Sequence, residues 1–141
     1  MGNLFNVKTI RIVCIVLFIA YLLIVLYITV GRLGFRYEDR KINLTLFTDL
    51  FHVYKYTNII TFMRLLLGNI GWFVPFGFLL PILVKRNSFL FTIIAGASFS
   101  LTIEILQYFL KKGVAELDDL ILNILGVVIG YFIYRFALHL L

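Results

Sequence analysis

The stretch IRIVCIVLFIAYLLIVLYITV, residues 10–30, carries one charged side chain, that of Arg11, in an otherwise apolar run. An apolar helix of about 20 residues is long enough to cross the hydrocarbon core of a bilayer, which is about 30 Å thick. Lys8 and Arg11 lie at the start of the run, as basic residues precede the apolar part of a signal peptide, but no small-x-small cleavage site follows it. The stretch therefore predicts a transmembrane helix that is retained in the mature protein.

The composition of the whole chain agrees with this prediction. Its 141 residues are 62% hydrophobic and 14% charged, whereas soluble domains are about 45–50% apolar and about 25% charged. Only helices and closed barrels satisfy the hydrogen bonds of the backbone inside lipid. The apolar runs here are continuous, while a barrel strand alternates between apolar and polar residues. We therefore expect an integral membrane protein built from helices.

Three more apolar segments, residues 59–84, 89–110 and 118–141, are long enough to span a bilayer. Lys85-Arg86-Asn87 predicts a tight turn between the second and third spans. The longest connection, residues 31–58, places aromatic side chains beside polar ones, which is typical of an amphipathic segment at the membrane interface. We predict one all-α domain, residues 1–141, in which four transmembrane helices form a bundle and a long amphipathic loop joins the first two.

Charge and cysteine usage exclude several other classes. The net charge of +6 would suit a nucleic-acid partner, but the 13 basic residues flank the apolar runs singly or in pairs, as they do at membrane interfaces. Cys14 is the single cysteine, and the two histidines lack the spacing of a zinc motif. Nucleotide-binding and hydrolase motifs do not occur. We expect no nucleic-acid partner, no metal and no cofactor.

The first of three polar clusters is GNIGWFVPFGFLLP, residues 68–81. Pro75 lies well inside the second span, where a proline removes one hydrogen bond and clashes with the preceding turn. A kink or a break is therefore predicted near Gly71, close to Asn69. A packing kink and a broken helix that lines a polar site both fit this pattern.

The second cluster is SFSLTIEILQ, residues 98–107, in the third span. Gln107 follows Glu104 at i+3 and shares its helical face. A carboxylate within a membrane segment usually faces the bundle interior or a water-filled cavity, and it indicates a functional site. A structural ion pair between Glu104 and Arg64 is the alternative.

The third cluster is AELDDLILNILG, residues 115–126, at the start of the last span. Helical spacing predicts one face that carries three polar side chains, those of Glu116, Asp119 and Asn123. Asp118 points elsewhere and is expected to help start the helix, because acidic residues in a first turn interact favourably with the helix dipole. The alternative is that all the acids of this cluster only stabilise the start of the helix in this way. Gly126 and Gly130 continue the polar face and predict close approach of another helix, including that of a second copy in a homodimer.

Four motifs together resemble the VanZ-like family of small bacterial membrane proteins. They are NLTLF (43–47), NIGWFVPFGFLLP (69–81), SLTIEILQ (100–107) and ELDDLILNILG (116–126), in the order and at the spacing of that family. The resemblance covers about residues 42–135. It implies a multi-pass protein of the bacterial cytoplasmic membrane, associated with low-level resistance to teicoplanin, a lipid-tailed glycopeptide that acts on cell-wall precursors. The distribution of the basic residues does not decide the orientation of the chain in the membrane. The resemblance slightly favours cytoplasmic termini.

The family positions can be located in this chain. They fall on Asn69, Pro75, Gly77, Glu104, Gln107, Glu116, Asp119, Asn123 and Gly126. Glu116 stands where aspartate is usual in the family, which keeps the charge and lengthens the reach of the side chain. Residues 113–115 occupy a region where many members carry an arginine, so no role of that arginine transfers unless Lys111 or Lys112 takes its place.

Three functions fit these features. The favoured one is a non-enzymatic envelope protein whose acidic and amide side chains form a pocket at the membrane interface. The pocket would bind a polar headgroup or a lipoglycopeptide antibiotic, with the lipid tail along the helices. The ligand-binding residues would be Asn69, Pro75, Glu104, Gln107, Glu116, Asp119 and Asn123. The alternatives are an intramembrane enzyme acting on a lipid-linked cell-wall precursor, with Glu104 and Asp119 as general acid and base, and a small proton-coupled transporter.

Overall fold

The computed structural model describes residues 2–31, 36–84 and 88–140. The turn predicted at Lys85-Arg86-Asn87 lies outside the described residues. The helices and strands occur in the order α1 (Gly2–Val30), β1 (Lys41–Asn43), α2 (Thr48–Tyr56), α3 (Ile59–Val84), α4 (Phe89–Leu110), β2 (Val114–Glu116) and α5 (Leu117–Leu140).

Four of the described helices, α1, α3, α4 and α5, are long and apolar enough to cross a membrane. Their outward surfaces are apolar: the side chain of Leu17 in α1 is 63% exposed, and that of Phe132 in α5 is 59% exposed. Water would penalise this exposed apolar area, whereas lipid does not. The predicted α-helical membrane bundle is confirmed, and the protein is a multi-pass membrane protein.

The helices α3 and α5 form the most extensive contact in the bundle. A Cβ atom on Gly126 would clash with the carbonyl oxygen of Ile70, and one on Gly130 would clash with the carbonyl oxygen of Val74. The predicted close approach is therefore made within the chain, because α3 lies directly against both glycines. This face is already occupied and cannot also serve the homodimer that the sequence left open.

The helix α3 continues through both of its prolines, Pro75 and Pro81, from Ile59 to Val84. Of the two alternatives for Pro75, the broken helix is therefore wrong. The hydroxyl of Tyr21 in α1 donates a hydrogen bond to the carbonyl oxygen of Trp72, three residues before Pro75, and also interacts with the backbone amide of Phe76. A side chain of the neighbouring helix thus supplies hydrogen bonding beside the proline, as is common in membrane helices.

Two short strands modify the all-α prediction. The strands β1 and β2 pair in parallel, and Asn43 lies opposite Glu116 in their register. Both strands belong to connections between helices, whose backbone groups have no partner within a helix. Pairing the two connections satisfies these groups close to the membrane, where an unpaired amide or carbonyl is costly.

Candidate functional site

A polar cavity of about 510 Å³ lies between the ends of four helices. Its walls come from the last turn of α1, the first half of α3, the last turns of α4, the first turns of α5 and the nearby connections. We call it the polar cavity; its lining residues are Ile28, Thr29, Tyr37, Arg64, Leu65, Gly68, Asn69, Trp72, Phe73, Ile103, Glu104, Gln107, Lys112, Gly113, Val114, Glu116, Asp119 and Asn123. Six of the seven predicted ligand-binding residues are among them, and Pro75 is not.

Glu104 is the most deeply buried acid of the polar cavity, with 6% of its surface exposed. Its Oε2 accepts a hydrogen bond of 2.9 Å from the backbone N–H of Glu116. Burying a carboxylate is costly unless it is hydrogen-bonded, and this bond also ties α4 to β2. Arg64, the partner proposed from the sequence, is exposed and lines the same cavity.

Asp119, a second acid of the polar cavity, is held by a residue of α3. The side-chain amide of Asn69 in α3 donates a hydrogen bond to Oδ1 of Asp119 in α5. An amide bound to a carboxylate stabilises the charged oxygen and orients it. The pair therefore fixes the position of one acidic group in the cavity wall.

Asn123 lies one turn deeper in α5 and is 5% exposed. Its Nδ2 donates a hydrogen bond of 2.8 Å to Oγ of Ser100, a fully buried residue of α4. Ser98, on the same helix, is exposed and donates only to the carbonyl oxygen of Ile94 within α4. The hydroxyl of Ser100 thus links α4 to α5 immediately behind the cavity.

Gln107 lines the polar cavity and carries an unsatisfied acceptor. Its Nε2 donates a hydrogen bond of 3.1 Å to the carbonyl oxygen of Thr29 at the end of α1. Its Oε1 is buried and has no donor among the described residues. A Cβ atom on Gly113 would lie 3.0 Å from Cδ of Gln107, so the glycine leaves room for this amide. Buried acceptors usually find a donor, and here a bound ligand could supply one.

Glu116 corrects one part of the sequence interpretation. It belongs to β2, and α5 begins only at Leu117, so the predicted helical line through Glu116, Asp119 and Asn123 starts at Asp119. The helix starts later than the spacing predicts, because the pairing of β2 with β1 keeps Glu116 extended. Its side chain nevertheless lines the polar cavity with the other two.

Asp118 has a partner that the sequence did not reveal. It is 3% exposed, and its Oδ1 accepts a hydrogen bond of 2.8 Å from the backbone N–H of Phe47. Phe47 precedes α2 and has a left-handed backbone, with φ of 55°. Asp118 therefore anchors the amphipathic loop to α5, in addition to any effect on the start of the helix. Nothing in the local sequence signals a partner 71 residues away.

The polar cavity carries charges of both signs. Its acids are Glu104, Glu116 and Asp119, and its basic residues are Arg64 and Lys112. Of the two lysines named as substitutes for the family arginine, Lys112 lines the polar cavity. Within residues 2–31, 36–84 and 88–140, no three His, Cys, Asp or Glu side chains come together in a group that could hold a metal ion.

A second cavity of about 290 Å³ adjoins the first. The two share Leu65, Asn69, Glu116 and Asp119, so the Asn69–Asp119 pair belongs to the wall of both. The second cavity is also lined by Leu50, His52, Val53 and Asp118. It extends the polar site towards α2, in the connection that the sequence predicts to be amphipathic.

Four membrane-spanning helices with a polar cavity near one end define a multi-pass α-helical membrane protein with a polar site between its helices. The model of one protein family, described as VanZ/LLP1, matches residues 18–138. The chain belongs to this VanZ-like family, as its four motifs indicated.

The chain is also similar to protein VanZ of Enterococcus faecium. The two are 32% identical over 100 residues, which are 71% of this chain and 56% of that relative. The chain therefore spans just over half the length of the relative. No solved structure matches it.

Proposed function

We propose that this protein acts in the bacterial cytoplasmic membrane and lowers susceptibility to teicoplanin-type lipoglycopeptides. It does so by binding the polar group of a lipid-anchored envelope molecule in the polar cavity. The observation that carries the proposal is the cavity itself, which combines carboxylates, amides and the unsatisfied Oε1 of Gln107 at the end of an apolar bundle. The association of the VanZ-like family with teicoplanin resistance supports the biological role.

The hydrogen bonds around the cavity favour binding over catalysis. Glu104 is bonded to the backbone of β2, and Asp119 is bonded to the amide of Asn69. Each acid thus forms a hydrogen bond that joins two secondary-structure elements. A site whose shape is fixed in advance loses little entropy when a ligand binds. The favoured role is therefore that of a preorganised binding site.

The orientation of the chain determines whether the cavity faces the side of the membrane on which the antibiotic acts. Four spans place both termini on one side of the membrane, and the cavity lies at the opposite end of the bundle. We infer that the termini are cytoplasmic, so that the cavity faces the outer leaflet, where glycopeptides act. A cysteine at exposed Asp39, in a chain that carries Cys14→Ser, should react with a membrane-impermeant maleimide in intact cells. Labelling only after lysis would overturn this orientation.

A resistance assay in a susceptible host tests the proposal. The wild-type chain should raise the inhibitory concentration of teicoplanin much more than that of vancomycin, because only teicoplanin carries a lipid tail. Glu104→Gln, Asp119→Asn and Asn123→Ala should remove most of this effect at equal membrane abundance. Ser98→Ala, a change of an exposed serine outside the cavity, is the matched control. Equal effects on both antibiotics would contradict the proposal.

The enzymatic alternative rests on one observation, that Glu104 and Asp119 line the same cavity and interact electrostatically. Glu104→Gln separates the two mechanisms, because the amide keeps the shape of the side chain and removes its acid–base chemistry. Binding of radiolabelled teicoplanin and of envelope lipids to purified protein is compared with resistance. If resistance is lost while binding persists, the enzymatic mechanism replaces the binding mechanism; if both fall together, the binding mechanism stands.

A further inference from the structure

A groove beside α2 extends the site away from its polar end. It has a volume of about 370 Å³, and we call it the apolar groove. Its walls are the side chains of Phe47, Leu50, Phe51, Tyr54, Phe62, Leu66 and Leu122. Ligand pockets in proteins measure about 300–1,000 Å³ and are lined mainly by apolar and aromatic side chains. The groove therefore has the size and the lining of a site for a hydrocarbon chain.

The apolar groove is linked to the polar cavity through the second cavity, with which each of them shares lining residues. The groove and the second cavity share Leu50, and the second cavity and the polar cavity share Asn69 and Asp119. The carboxylates of the polar cavity and the aromatic wall of the groove thus border neighbouring cavities. The bond from the backbone N–H of Phe47 to Asp118 holds that wall against α5. An amphiphile matches this arrangement, because its polar head suits the polar cavity and its hydrocarbon chain suits the apolar groove.

The charges of the polar cavity indicate the chemistry of the head. Glu104, Asp119 and the unsatisfied Oε1 of Gln107 are acceptors that suit a cation with N–H donors. Arg64 is exposed and lines the same cavity, and it suits an anionic oxygen, because a guanidinium binds phosphate through paired N–H donors. A head that carries both an ammonium and a phosphate complements both groups.

We propose that the polar cavity and the apolar groove together bind one membrane phospholipid that carries a primary ammonium group. Its ammonium lies among Glu104, Asp119 and Gln107, its phosphate lies at Arg64, and one acyl chain lies in the apolar groove. This inference rests on the proposed function, since it names the lipid that the polar cavity holds. The lipid comes from the surrounding bilayer.

Lipid competition on the purified full chain tests the head. The protein is reconstituted in nanodiscs that contain phosphatidylethanolamine, phosphatidylcholine and phosphatidylglycerol in equal amounts, and the lipid that it retains is measured by native mass spectrometry. Phosphatidylcholine keeps both charges but replaces the N–H donors with methyl groups. We expect about a tenfold preference for phosphatidylethanolamine, the factor that one charge-assisted hydrogen bond supplies. Equal retention of the two, or preference for phosphatidylglycerol, overturns the proposal.

Two substitutions test the proposed site of the acyl chain. Leu66→Trp from α3 and Leu50→Trp from α2 should each fill the apolar groove and lower lipid retention at least fivefold. Leu67→Trp, at a neighbouring position that is 58% exposed and outside the groove, is the matched control. Thermal unfolding of each variant shows that it is folded. If both folded groove variants retain lipid as the control does, the acyl chain does not lie in the groove and the proposal fails.

The inference and the proposed function fail in different ways. If nanodisc competition shows no selectivity while Glu104→Gln still removes teicoplanin resistance, the lipid assignment is wrong and the proposed function stands. If selectivity is present but no cavity variant changes resistance, the lipid assignment stands and the proposed function fails.

Discussion

Asn69 and Asp119 lie 50 positions apart in the chain, and the side-chain amide of Asn69 donates a hydrogen bond to the carboxylate of Asp119. This bond joins α3 to α5, the two helices with the most extensive contact, and it forms part of the wall of two cavities. One pair of side chains thus contributes both to the packing of the bundle and to the site. Changes to it should alter stability and binding together.

Asn69→Ala should lower the free energy of unfolding by about 1–3 kcal/mol, because it leaves a partly buried carboxylate without its donor. Asn69→Asp should be worse, since it places a second carboxylate against Asp119. The exchanged pair Asn69→Asp with Asp119→Asn restores an amide next to a carboxylate. Thermal unfolding in detergent should therefore rank the exchanged pair above Asn69→Asp alone. An exchanged pair no more stable than that single variant would show that the pair does not interact as described.

The glycines of α5 should tolerate no side chain. Gly126→Ala and Gly130→Ala each place a methyl group against a backbone carbonyl of α3, and overpacking of this kind costs about 1–3 kcal/mol. Gly71→Ala is the matched control, because no atom lies within 4 Å of a Cβ at that position. The control should be neutral or should gain up to about 1 kcal/mol from its better helix propensity. Unfolding temperatures in detergent measure all three, and equal effects at Gly71 and Gly126 would contradict the close approach.

The four spans could be predicted because lipid sets a simple length criterion. A continuous apolar run of about 20 residues has few alternatives to a helix, since each backbone group must find its partner within the same segment. The close approach at Gly126 and Gly130 followed from residue size alone, but the identity of the approaching helix did not. Choosing between α3 and a second copy of the chain requires knowledge of how the helices are arranged.

The grouping of polar side chains around the cavity could be predicted better than the contacts that these side chains make. Helical spacing grouped Asp119 with Asn123, and both line the polar cavity. The same spacing put Glu116 on the helix, where the structure has a strand, because pairing with β1 is a contact between distant segments. The bond from Phe47 to Asp118 was missed for the same reason. The local sequence pattern predicts which side chains are polar and buried. Contacts between segments that are distant in the chain determine which atoms these side chains contact.

Asp118→Ala should release the amphipathic loop from α5. The carboxylate of Asp118 accepts from the N–H of Phe47 and supports its left-handed backbone, which is strained for a residue other than glycine. Hydrogen exchange of residues 47–56 should therefore accelerate in Asp118→Ala. Asp118→Asn retains an oxygen acceptor and should change exchange much less. Asp39→Ala, in the exposed part of the same connection, is the control, and acceleration as large in the control would contradict the anchoring role.

The pair of Asn123 and Ser100 allows structural and binding roles to be separated. Ser100→Ala leaves the buried amide of Asn123 without its acceptor and should destabilise the protein by about 1–3 kcal/mol. Because the two residues are in direct contact, a double-mutant cycle with Asn123→Ala should give a coupling energy of about 0.5–3 kcal/mol. Ser98→Ala, which alters only a bond within α4, should couple weakly to Asn123→Ala.

The same variants should differ in resistance. Asn123 lines the polar cavity, whereas Ser100 is not among its lining residues. Ser100→Ala should therefore lower teicoplanin resistance only as far as it lowers the amount of protein in the membrane. Asn123→Ala should lower resistance further when both are normalised to membrane abundance. Equal normalised losses would mean that Asn123 acts only through helix packing and makes no direct contact with the ligand.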